Sequence, residues 1–120
     1  MVAFLSLFAI LLLSLVPGEY RPHTSILPSE FEHVSAYTFE HVSAYTIAGF
    51  LLWLGNGRIS PIRLVLMLTA YGALLEVAQL WVPGRHGQAV DIVADFVGAL
   101  FGVLVASVLA RRISQAVPEV

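Results

Sequence analysis

A chain of 120 residues that is 58% hydrophobic and 12% charged, with a mean hydropathy of +0.86, lies outside the composition of soluble domains of its size and reads as a membrane protein. Four spans of about 20 residues would fill roughly two thirds of that length, which leaves room for one compact membrane unit and no separate soluble domain. The net charge of -2, from six arginines, no lysine and eight acids, excludes a nucleic-acid-binding tract and a polybasic lipid-binding segment, and the absence of cysteine excludes disulfides and thiolate chemistry.

Residues 2–16, VAFLSLFAILLLSLV, have the length of a signal-peptide core, yet no basic segment precedes them and SLVPGEY offers no small-x-small cleavage site. A retained first span that thins the bilayer locally is the expectation. The stretch PGEYRPHTSILPSE is rich in proline and turn formers, so residues 17–38 are expected as an outer loop. The second span is expected at residues 39–54, stopping at GNGRISP; the third, at 62–82, stops at Pro83 and Gly84; the fourth, at 89–110, stops at Arg111 and Arg112. The expected fold is therefore all-α, a polytopic four-helix transmembrane bundle forming a single domain over residues 1–120. Arg58, Arg63, Arg111 and Arg112 would face inside against Arg21 and Arg85 outside, which favours N-in/C-in, and Trp53 and Trp81 fall at span ends, where interfacial aromatics belong.

The phrase FEHVSAYT occurs twice in succession, from Phe31 to Thr46. Eight residues of helix advance about 12 Å and turn by about 80°, so the two copies cannot occupy equivalent places in a bundle. The second copy runs directly into IAGFLLWL, which fixes Glu40, His41 and Tyr45 relative to the span. If the first copy is helical as well, residues 31–54 would extend about 36 Å against a roughly 30 Å hydrocarbon core, and the first copy would protrude or bend along the surface.

In the expected orientation His23, His33, His41, His86, Glu76, Gln79, Asp91 and Asp95 all lie in outer loops or in the adjoining helix halves. Thr69, Gly72, Glu76, Gln79 and Pro83 follow spacings of three and four and make one small-and-polar helix face. Ala94, Gly98, Gly102, Ala106 and Ala110 recur every four residues, a stripe that admits a second helix closely, with Asp91 and Asp95 beside it. The short connection VPGRHGQAV makes the outer ends of the third and fourth spans neighbours. Glu76, Arg85, Asp91 and Asp95 should thus converge, either as a structural network that sets helix register or as a site for a polar ligand. Imidazole and carboxylate also suit zinc or manganese, but neither H-E-x-x-H nor a paired-histidine spacing is present, so no metal and no other cofactor is expected. No serine sits in a G-x-S-x-G context.

The segment EVAQLWVPGRHGQAVDIVADFVGALFG resembles the VanZ-like family of small membrane proteins, with its pattern E-x-x-Q, P-x-R and D-x-x-x-N-x-x-G-x-x-x-G. Glu76, Gln79, Pro83, Arg85, Asp91, Gly98 and Gly102 match, while Asp95 stands where that family usually has Asn. HVSAYTIAGF resembles the family's second helix at His41, Tyr45 and Gly49, without the acidic-basic pair that usually precedes the histidine. The resemblance implies a multi-pass protein of the bacterial inner membrane with an outward-facing pocket. It also implies a cell-envelope role of the kind linked to low-level teicoplanin resistance, through surface lipid or cell-wall intermediates, and it specifies no reaction. In that reading Arg85 receives an anionic or polar head group, Asp91 and Glu76 orient Arg85 and Gln79, Asp95 and Tyr45 complete the binding surface, and His41 and Glu76 are the candidates for proton exchange. Membrane lipids and a lipid-linked or cell-wall ligand are the expected partners, with no nucleic acid, and the Gly98/Gly102 stripe offers a surface for a homo-oligomer. The rival readings are a small proton-coupled multidrug exporter and a non-catalytic membrane assembly factor.

Overall fold

The computed structural model describes residues 5, 7–9, 29–56, 58–83 and 89–117, and the side chains of these apart from residues 29–37. Three long helices organise them: α1 (Ser29–Gly55), α2 (Pro61–Gln79) and α3 (Ala89–Ala116). The described residues of the first apolar run, Leu5 and residues 7–9, are helical too, and no strand occurs among the described residues.

Both copies of FEHVSAYT belong to α1, which begins ten residues before the start expected for the second span. The reason is local: between Ser29 and Ala48 the chain has neither proline nor glycine, so nothing ends the helix once it has started. With 27 residues α1 measures about 40 Å, longer than a hydrocarbon core of roughly 30 Å. The expected outer loop of residues 17–38 is accordingly helical over 29–38. At the far end Asn56 closes the helix through its amide, which donates to the Leu52 carbonyl at 3.0 Å, and Ile59 N–H returns to the Asn56 carbonyl at 3.0 Å.

Helix α2 starts on an extended Ser60 followed by Pro61, whose fixed φ and missing N–H suit a first helical position. It stops at Gln79, where the amides of Leu80, Trp81 and Val82 tighten to carbonyls three residues back. Asp91 lies in the first turn of α3, where the exposed amides and the helix dipole favour a carboxylate. That helix passes through Arg111 and Arg112 and continues to Ala116.

Packing follows the small residues. A Cβ added at Gly98 would come within 2.5 Å of the Val42 carbonyl, one at Gly49 within 2.8 Å of the Ala99 carbonyl, and one at Gly102 would collide with the Thr46 carbonyl. Gly98 and Gly102 of the stripe, with Gly49 opposite, therefore mark the seam along which α3 meets α1 of the same chain, and at these positions the separation admits only a hydrogen side chain. The apolar core comprises Tyr45, Ala48, Leu64, Val65, Leu68, Leu75, Ala99 and Val103. Leu7 of the first run packs against it, and the Tyr71 hydroxyl donates to the Leu7 carbonyl at 2.9 Å. Trp53 also turns inward onto this core, whereas Trp81 is exposed.

The outside of the molecule is as apolar as its inside. Leu66, Met67, Leu74, Val93, Phe101 and Leu104 are each more than half exposed, while Glu76, Asp91 and Asp95 are buried. Water would favour the reverse partition, and the arrangement suits a membrane protein. Helices α2 and α3 are long and apolar enough to cross a membrane.

Candidate functional site

Consecutive antiparallel helices bring the first half of α1, the last turns of α2 and the first turns of α3 to one end of the bundle. In α1 the four-residue spacing of His41 and Tyr45 places both on one face, with their rings parallel within 4° and centroids 6.4 Å apart. In α2, Gly72, Glu76 and Gln79 share a face and all are buried. In α3, Asp91 and Asp95 share another, and both are buried.

The shortest contact between these faces joins His41 Nδ1 to Asp95 Oδ1 at 2.6 Å. Asp95 is 0% exposed, so its carboxylate has exchanged water for the imidazole. With Asp95 ionised, Nδ1–H donates to it and the lone pair on Nε2 is left for a second partner. Nε2 lies 3.9 Å from Glu76 Oε1. Donor atoms of His41, Glu76 and Asp91, one from each helix, all fall within 4.8 Å of one another. The Asp95 carboxylate is thus the anchor of the histidine.

Beneath the cluster, one helical turn from Glu76, Gly72 supplies the clearance that makes the arrangement fit. A Cβ there would collide with Asp95 Oδ2 and come within 2.9 Å of the Tyr45 hydroxyl. Those two atoms, Asp95 Oδ2 and the Tyr45 hydroxyl, are buried without a hydrogen-bond partner. Buried polar atoms of this kind are rare in folded proteins and mark a place where a polar ligand or a strained network is accommodated.

Six of the seven residues singled out in the sequence, His41, Tyr45, Glu76, Gln79, Asp91 and Asp95, lie at this end of the bundle, and Gln79 is 1% exposed. Arg85 lies outside the described residues, as do His23 and His86, and the side chain of His33 is not described either. Among the described residues the arginines, Arg58, Arg63, Arg111 and Arg112, are exposed and stand at the opposite end of the bundle. Two placements were not legible in the sequence, one at the site and one on the apolar core beside it. Gly72 was legible as a small residue on a polar face but not as the position under Asp95 and Tyr45. Tyr71 gave one signal, a phenol inside an apolar run, which needs an acceptor.

Compared with known proteins, residues 2–110 match the profile of the VanZ/LLP1 family. No curated protein and no solved structure shows significant similarity to the chain.

Proposed function

The chain belongs to the VanZ/LLP1 family, and from that premise we propose that it is a multi-pass, four-helix protein of a bacterial inner membrane, with both termini inside, whose polar cluster serves the cell envelope from the outer face. The role is of the kind linked to low-level resistance to teicoplanin-type glycopeptides. Membrane lipids surround it, and a lipid-linked or cell-wall head group is its ligand.

The observation that carries this reading is the 2.6 Å contact of His41 with the wholly buried Asp95, made in a molecule whose exterior is apolar. Ionisable groups are costly in a membrane interior and are kept where they bind or transfer something. Here they gather at one end of three helices, with donor atoms of His41, Glu76 and Asp91 within 4.8 Å of one another, which supports a shared ligand. Arg85, on the connection between α2 and α3, receives the negative or polar group; Glu76 and Asp91 orient Arg85 and Gln79; His41, steadied by Asp95, exchanges protons; Tyr45 closes the floor. The collection of acids at one end of the bundle argues against an exporter, whose essential carboxylate should be reachable in turn from both sides. Association of copies through Gly98 and Gly102 would have to displace α1, against which both glycines are buried.

The test is teicoplanin susceptibility in a cell made resistant by this chain, with membrane levels verified. Arg85→Ala or Glu76→Gln should return susceptibility to that of cells lacking the protein. Undiminished protection by both variants would overturn the pocket.

A further inference from the structure

We propose that His41, Glu76 and Asp91 form a binding site for a divalent first-row cation of the zinc or manganese class. The inference rests on the same pocket as the proposed function, but it gives His41, Glu76 and Asp91 a cation to hold in place of proton exchange and the orienting of Arg85, and it is read by ion binding and not by any cellular phenotype.

Three observations carry it. The first is the ligand set itself: one imidazole nitrogen and two carboxylates, from three different helices, with donor atoms within 4.8 Å of one another. Zinc ligands bound at about 2.1 Å in a tetrahedron sit about 3.4 Å apart, so the 3.9 Å between His41 Nε2 and Glu76 Oε1 needs only a small closure. The second is the orientation of the histidine. Asp95 holds Nδ1 at 2.6 Å, and the nitrogen that faces Glu76 is the other one. A carboxylate behind the imidazole is what fixes the tautomer and raises the basicity of a metal-binding histidine. The third is at the floor of the cluster, where the Tyr45 hydroxyl and Asp95 Oδ2, on residues 1% and 0% exposed, have no hydrogen-bond partner. Buried polar atoms left without a partner beside the cluster are where a polar ligand is accommodated, and three protein ligands leave a coordination position open.

The mixed nitrogen and oxygen set excludes calcium as the preferred ion, because calcium takes six to eight oxygens, and disfavours magnesium, which keeps most of its water.

The experiment uses the full chain purified in detergent, stripped with chelator and titrated separately with zinc, manganese, magnesium and calcium ions. Bound metal is measured by elemental analysis and affinity by calorimetry. One zinc or manganese ion per chain is expected, binding more tightly than magnesium or calcium. A Glu76→Gln, Asp91→Asn double variant should lose that ion, and Asp95→Asn should weaken affinity about 10–100-fold by loosening the imidazole. Because a variant can fail through misfolding, the wild-type chain is also loaded with cobalt: visible absorption of the cobalt site should report nitrogen and oxygen ligation. Wild-type chain that retains no stoichiometric ion, or a double variant that folds and binds as tightly, overturns the proposal. If wild type binds no ion while Arg85→Ala still abolishes protection, the cation site fails and the head-group pocket stands. If the ion binds and Arg85→Ala has no effect on susceptibility, the cation site stands and the pocket's proposed role fails.

Discussion

At the end of the bundle that carries the turn between α1 and α2, Leu64, Val65, Leu68 and Val103 belong to one apolar cluster, with Leu52, Trp53 and Ile59 packed against it. At the end joined by residues 80–88, the space between the same three helices holds His41, Glu76, Gln79, Asp91 and Asp95. The first end is held by dispersion between groups that tolerate rotation and exchange; the second depends on directional contacts between atoms that are expensive to leave alone. In lipid, burial of apolar side chains gives little net drive, because the surroundings are as apolar as the core. The close glycine seam and the polar cluster therefore decide which helix faces which, and the apolar end fills what remains.

The sharpest way to break this contrast is His41→Ala, which strands the Asp95 carboxylate at 0% exposure; a loss of about 3–5 kcal/mol in reversible unfolding from mixed micelles is expected. A loss below about 1 kcal/mol would mean that the cluster does not hold the helices. Next comes the seam: Gly102→Leu drives a side chain into the Thr46 carbonyl and the Phe50 amide and should cost about 3 kcal/mol by the same measurement, whereas Gly55→Leu, with nothing within 4 Å, should be close to neutral. At the apolar end Leu68→Met conserves volume and should cost less than about 1.5 kcal/mol, although Leu68 is as buried as the carboxylates. Smallest of all is Tyr45→Phe. Its hydroxyl has no partner to lose, so stability should stay level or rise by up to about 1 kcal/mol.

The sequence made the faces legible and left their partners open. Spacings of three and four showed that Gly72, Glu76 and Gln79 belong together, and that the alanines and glycines from Ala94 to Ala110 line a close approach. Which helix makes that approach was not legible, since a small-residue stripe serves another chain as well as α1. The spacing did place His41 and Tyr45 on one face of the second copy, and these are the side chains that meet α2 and α3. The boundaries fared differently at the two ends of α1: glycine and asparagine mark its end after Leu54, but the proline-rich stretch before it hid a helix that starts at Ser29.

By itself the sequence pointed to a membrane, because composition governs where a chain can lower its free energy, and it determined the helical faces, because those follow from the 3.6-residue period alone. The pairing of Nδ1 of His41 with Asp95 across 54 residues was decided only in three dimensions, as were the placing of Gly72 beneath it and the capture of the Gly98/Gly102 stripe by α1. The physical reason is that a helix carries its periodicity in its own residues, whereas its depth and rotation against a neighbour are set by every contact along the seam at once.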